Sequence, residues 1–187
     1  PECRLIRRLA WRNERTLYRR KCGLCGESTL AIYAPDSPCT VYCRECWWSD
    51  KWDPMQYGRD YDFSKQFLEQ FDELFKKVPL PALWGFNNTN CDFANYIGYS
   101  KNSYFSFSIV ECEEIYYSSN VDRSRNCCDC DFAMDSEFCY ENSNSAKNYR
   151  SLFLVNSKEC INSAYLYDCS NCQNCFMSSN LRNKQFV

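Results

Sequence analysis

Two pairs of cysteines carry the clearest chemistry in this chain: Cys22-Gly23-Leu24-Cys25 and Cys43-Arg44-Glu45-Cys46, with seventeen residues between them. A two-residue gap lets both sulfurs of a pair turn toward one ion, and two such pairs at this separation are a strong zinc signature. Four thiolates close a tetrahedron and leave no position for water. The chemistry expected of Cys22, Cys25, Cys43 and Cys46 is therefore structural Zn2+ binding rather than hydrolysis. Two local disulfides, or loose thiols, are the alternative. Cys3 and Cys39 are further candidate ligands: Cys39 could compete with Cys43, and a cysteine just before Pro1 would complete another C-x2-C with Cys3.

The elements that must position those sulfurs follow from the residues around them. Leu30–Tyr33 and Thr40–Tyr42 read as short strands joined by the turn-rich Ala34-Pro35-Asp36-Ser37-Pro38. Knuckle, hairpin, knuckle predicts a zinc ribbon. Upstream, Arg4 to Lys21 contains no Pro or Gly and reads as a helix. Arg8, Arg12, Arg15 and Arg19 fall on one stripe of that helix, which would span roughly 16 Å at the helical rise per residue. Arginine binds phosphate bidentately, so the stripe is a candidate contact for an RNA or DNA backbone. A solvated face, or pairing with the acidic second half of the chain, is the structural alternative.

Trp47-Trp48-Ser49-Asp50-Lys51-Trp52-Asp53-Pro54 and Tyr57 to Phe63 are dense in aromatics and aspartates. Stacked rings with Asp50, Asp53, Asp60 and Asp62 could hold a base, a sugar or a cation. The preferred reading is structural: tryptophans covering the metal module, and aspartates capping turns or pairing with Arg59. Ser64 to Val78 reads as an amphipathic helix with Ser64 as N-cap and an apolar face of Phe67, Phe71, Leu74, Phe75 and Val78. Such a face suits a cap over the end of a repeat array.

After Phe86 the composition changes. Sixteen of seventeen asparagines and ten of sixteen cysteines lie there, with one glycine and no proline. A short unit recurs, starting at Asn90, Asn102, Glu114, Asn126, Glu137, Asn148, Glu159, Asn171 and Asn183, at steps of 11 or 12 residues. A fixed period implies stacked units that bury their faces on neighbours. One turn of 11–12 residues would enclose only small side chains, so two units per coil, about 23 residues, are expected to hold a core of Phe, Tyr and Cys on alternating strand positions. The inward positions are then 91, 103, 115, 127, 138, 149, 160 and 172. Asn at the unit starts fits turns of left-handed backbone without glycine, and stacked Asn can form hydrogen-bond ladders. The C-terminal cysteines, including Cys127, Cys130, Cys169, Cys172 and Cys175, read as packed thiols rather than a second metal module. An antiparallel meander is the alternative architecture.

Absences narrow the function. The chain has no histidine, which excludes Ser-His-Asp and Cys-His hydrolases and His-ligated zinc catalysis. It has no P-loop and no GxGxxG. Net charge is −2, but residues 1–21 hold eight Arg and Lys against two acids, while 87–187 hold eight against twelve. No apolar run approaches the roughly 18 residues needed to span a bilayer, and no signal peptide is visible. With paired C-x2-C motifs, this points to a reduced, cytoplasmic protein.

The strings Arg7-Arg8-Leu9-Ala10-Trp11-Arg12-Asn13-Glu14-Arg15, Trp47-Trp48-Ser49-Asp50-Lys51-Trp52-Asp53-Pro54 and Asn180-Leu181-Arg182-Asn183-Lys184-Gln185 resemble an uncharacterised bacterial zinc-ribbon family with Asn/Cys-rich C-terminal repeats. The resemblance implies a C-P-x-C ending at Cys3 and further chain beyond Phe186.

The expected fold is thus mostly β. A zinc-ribbon module with a basic helix occupies 1–63, an amphipathic capping helix and linker 64–86, and a β-solenoid of 11–12-residue units 87–187. The expected function is non-enzymatic: zinc binding, with RNA or DNA held by the basic helix and the solenoid as a rigid arm. The alternative is an assembly protein whose solenoid stacks with itself or a protein partner, with an exposed C-terminal strand edge as the point of contact.

Overall fold

Every third residue from Asn87 to Phe186 has left-handed backbone, with φ between 45° and 58°. This triplet organises the whole second half of the protein. The residue after each left-handed position points inward, so positions 94, 97, 100 and onward to 175 are buried without exception. Those inward residues are Ser, Cys, Ile, Val, Leu, Ala or Asn; none is aromatic or charged.

The computed structural model describes residues 15–187, which divide into two compact units: Thr16–Trp84, and Gly85–Val187 with Arg15. The second unit is a parallel β-solenoid of about 8 turns. Ladder partners are twelve residues apart, as in Thr89↔Lys101, Ser119↔Asp131 and Leu152↔Ala164. One stack of strands contains Thr89–Asp92, Lys101–Tyr104, Glu113–Tyr116 and Arg125–Cys128. A longer stack of nine strands runs from Gly85–Phe86 to Phe176–Ser179, and single bridges such as Tyr149↔Ile161 continue the first stack.

The coil is therefore twelve residues, not about 23, and the aromatics lie outside it. The premise that a short coil cannot enclose aromatics holds, but it takes more than small side chains, since Ile97, Ile109, Ile115, Leu154 and Leu166 lie inside with Ser, Cys and Ala. Of the expected inward positions, 103, 115, 127, 160 and 172 are buried and 91 is half-buried, whereas Phe138 is exposed and Tyr149 half-buried on the outer surface. The steps of 11 read across that stretch are a slip; the structure keeps a period of twelve throughout, with 139, 151, 163 and 175 continuing the row of 91 and 103.

Backbone geometry explains the inward chemistry. From Tyr99 on, amides of left-handed residues donate to carbonyls thirteen residues earlier, as Tyr99 N to Phe86 O at 3.2 Å. Where the inward residue one coil back is Ser or Asn, its side chain meets the amide of the next inward residue instead: Cys112 N to Ser100 Oγ at 3.2 Å, Cys130 N to Ser118 Oγ at 3.0 Å, Cys160 N to Asn148 Oδ1 at 2.9 Å. Serine hydroxyls then donate to the carbonyl two residues earlier, as Ser118 Oγ to Tyr116 O at 2.8 Å. Thiols do the same, as Cys112 Sγ to Val110 O at 3.1 Å. A buried N–H without an acceptor is costly, which accounts for a core built largely from Ser and Cys.

In the first unit, β1 (Tyr18–Lys21) pairs antiparallel with β2 (Ser28–Ala31). This corrects the sequence expectation twice. The helix expected over Arg4–Lys21 does not extend through its last turn, because residues 18–21 pair across the first knuckle; residues 1–14 lie outside the described part. The expected pairing of the strands near 30 and 41 is also absent, since β3 (Val41–Tyr42) pairs in parallel with β4 (Leu80–Pro81). Two helices are present among the described residues, Arg44–Trp47 and Phe67–Lys77. The second starts after the expected Ser64, whose amide and hydroxyl both donate to Asp62. Phe67, Phe71 and Phe75 stack along its exposed face.

Candidate metal centre

The turn between β1 and β2 carries the first knuckle. Gly26 has φ +77°, a conformation costly for other residues, and its amide donates to Cys22 O at 3.0 Å. Gly23 is required for a different reason: a Cβ there would meet Thr40 Cγ2 at 2.7 Å, where the Gly23 amide donates to Val41 O at 2.8 Å. That close approach brings β3 against the knuckle. The second knuckle follows at once, because Cys43 is the N-cap of the helix Arg44–Trp47 and Cys46 sits one turn in.

The result is one cluster. The sulfurs of Cys22, Cys25, Cys43 and Cys46 all lie within 4.8 Å of one another, and the group could hold a metal ion. Cys25 and Cys43 Sγ are 3.8 Å apart. A metal–sulfur distance of about 2.3 Å gives a tetrahedron with edges of about 3.8 Å, so the donor set fits a four-thiolate ion. Three of the four cysteines are buried and Cys25 is exposed.

The surroundings differ for each sulfur. Cys22 Sγ accepts from Leu24 N at 3.4 Å and Cys43 N at 3.3 Å. Burial pushes its thiol upward, but the amides of Cys25, Cys43 and Leu24 outweigh burial and bring it down to about 6. Burial raises the Cys43 and Cys46 thiols, which favours the protonated form unless a cation is present. Tyr42, Trp47, Trp52 and Leu24 pack on the cluster. Trp52 donates from its indole to Trp47 O at 3.1 Å and meets Tyr42 edge-on.

Tryptophans thus cover the cysteines, as the structural reading of that segment expects. Asp53 accepts from Met55 N at 2.9 Å, capping the 3-10 turn Pro54–Tyr57. Arg59 pairs with Glu73 rather than with an aspartate. Cys39 stands apart from the cluster: it packs with Ala31, Val41 and Ala82, and its sulfur lies 3.1 Å from Ser37 Oγ. Cys3, Arg8 and Arg12 fall outside the described residues. Arg15 is buried and donates to Ser119 Oγ at 3.4 Å, and Arg19 is exposed on β1. The four arginines therefore do not continue as one helical stripe through Arg19.

Of the C-terminal cysteines, all but Cys91 and Cys128 are buried. The buried ones occupy two apolar clusters inside the solenoid. Outside it, side chains twelve residues apart form ladders that sequence reading missed. Arg123 bonds Asp135 at 2.7 Å, and Lys147 approaches Glu159 at 3.8 Å in the same row. Lys101 bonds Glu113 at 2.7 Å, and Arg125 approaches Glu113 at 3.9 Å in another. Asparagine ladders occur as expected, Asn90 to Asn102, Asn144 to Asn156 and Asn171 to Asn183. A groove of about 770 Å³ runs along one side, lined by Phe132, Met134, Asn144, Lys158 and Arg182 among others. No helix among the described residues is long and apolar enough to cross a membrane.

No family model matches the chain, and no curated protein matches it.

Proposed function

We propose that this is a non-enzymatic structural protein: a zinc-stabilised module joined to a rigid solenoid that presents regular side-chain rows for assembly. The observation that carries this reading is the inverted placement of side chains. Ser, Cys and aliphatic residues fill the coil, while aromatic and charged rows face outward at a fixed pitch. Such a surface suits lateral contact with a protein partner or another copy, as in other repeat architectures. Zinc is the ion proposed, since four thiolates in a closed tetrahedral set suit it and leave no site for a reacting water. A reduced, cytoplasmic setting belongs to this reading, since the knuckle sulfurs gather at one point and most other cysteines pack inside the coil.

Nucleic-acid binding has weaker support. It relied on a continuous arginine stripe, whereas Arg15 is buried and Arg19 lies on a strand. Titration with labelled RNA and DNA at low ionic strength decides between the two. The structural reading expects no saturable, salt-sensitive binding. Saturable binding whose salt slope falls by about one contact for each charge removed at Arg8 and Arg12 would favour nucleic acid instead.

A further inference from the structure

The last three strands of the longer stack, Leu152–Val155, Ala164–Tyr167 and Phe176–Ser179, contain no charged residue. The earlier strands Ser119–Asp122 and Asp131–Met134 each carry aspartate. With a ladder period of twelve, Leu152, Ala164 and Phe176 form one outward row, Phe153, Tyr165 and Met177 the corner, and Val155 and Tyr167 the next row. Phe153 stacks on Tyr165 at 4.6 Å, and Tyr165 meets Phe176 edge-on at 5.6 Å. Leu152, Val155, Tyr165, Tyr167, Phe176 and Met177 remain between 38% and 73% exposed. A continuous apolar face of this kind marks an interaction surface.

We infer that this face is a self-association surface, its occupant being the same face of a second copy in a two-fold, isologous dimer. This rests on the assembly reading above. Area supports it. Large aromatic side chains bury about 150–250 Å² each, so the exposed parts of these six residues sum to on the order of 600 Å² per copy. Two copies would bury about 1,200 Å², the lower end of the range for specific, stable interfaces. Charge supports it too. A two-fold contact sets each residue near its own equivalents, and a face without charges incurs no like-charge repulsion there. The pitch also matches, because both copies carry side-chain rows at the same strand spacing of about 4.8 Å, so ridges of one fit between ridges of the other.

Sedimentation of the full chain across a concentration series tests this. The expected result is a reversible monomer–dimer equilibrium at micromolar protein. Combined Tyr167→Glu and Met177→Glu should weaken it at least tenfold, while Phe138→Glu, on a different outer row, should not. Unchanged far-UV circular dichroism in all variants confirms that the outer substitutions leave the coil folded. A monomer at several hundred micromolar would overturn the inference, as would a dimer indifferent to the double substitution or equally lost in Phe138→Glu. A monomer that co-sediments with phosphatidylcholine vesicles through this face would assign it to lipid and overturn it as well. None of these outcomes bears on the nucleic-acid titration, so the assembly reading and the dimer can fail separately.

Discussion

Cys43 is both a buried sulfur of the cluster and the N-cap of the helix that places Cys46. Its replacement removes a ligand at the junction of the two knuckles. With zinc at this cluster as proposed, elemental analysis should find about one ion per chain and well below that in Cys43→Ser, and the substitution should make the unit Thr16–Trp84 sensitive to protease, because structural metal binding supplies folding free energy directly. Circular dichroism from the solenoid should persist. Serine at inward positions is a second residue-scale device. Ser118 donates to Tyr116 O and accepts from Cys130 N. Ser118→Ala leaves that amide buried without its acceptor and should cost about 1–3 kcal/mol in denaturant unfolding. A loss no larger than that of an exposed Ser→Ala change would show that the side-chain ladder is dispensable.

Within the solenoid, each strand is short, and strands so short gain little from propensity alone. Register comes from rows that repeat at twelve. Glu111, Arg123, Asp135, Lys147 and Glu159 alternate in sign along one row, so opposite charges are neighbours and like charges are two coils apart. The Arg123 guanidinium holds the Asp135 carboxyl below the usual carboxylate range. That depressed value means the pair's contribution is present above the ordinary carboxylate range and is lost as pH falls through the lowered one. Arg123→Glu would place three acids in succession and should lower the thermal midpoint by a few degrees. Adding Glu111→Arg, whose neighbour one coil back is the uncharged Tyr99, should recover much of it, since exposed pairs and repulsions are each worth up to about 1 kcal/mol. A double variant as unstable as the single one would remove the ladder from the account of register.

At the scale of the molecule, two solutions to the same problem of a small core lie in one chain. The first unit gathers few apolar residues around four sulfurs, and small domains of this kind rely on a metal for stability. The second unit has no large core in any one coil, so its stability must come from stacking many identical layers. This has a consequence for how each responds to chelator. The Thr16–Trp84 unit should unfold when zinc is stripped, read as loss of tryptophan near-UV signal from Trp47 and Trp52, whereas the solenoid should unfold only in denaturant. Simultaneous loss of both signals in chelator alone would contradict independent stabilisation.

The four cysteines were legible from sequence because C-x2-C spacing is a local property: two residues between thiols suffice to turn both toward one point, whatever the fold around them. The β-solenoid was legible as a repeat near twelve, because any stacked array must repeat its buried positions. The coil size was not. It depends on whether aromatic residues face in or out, and only the triplet of two extended residues and one left-handed residue settles that, by turning every third side chain inward. Asparagine signalled left-handed backbone, and twelve of the sixteen that follow Phe86 sit at such positions. Phe93, Phe105 and Tyr165 share that conformation and gave no such signal, since their cost is offset by stacking on the coil above or below. The charge ladders had no meaning until the period was fixed at twelve. Arg15 could be placed only by tertiary structure, because a helical stripe and a buried guanidinium bonded to Ser119, 104 residues away, are the same residue in sequence; burial is decided by what the chain brings back against it.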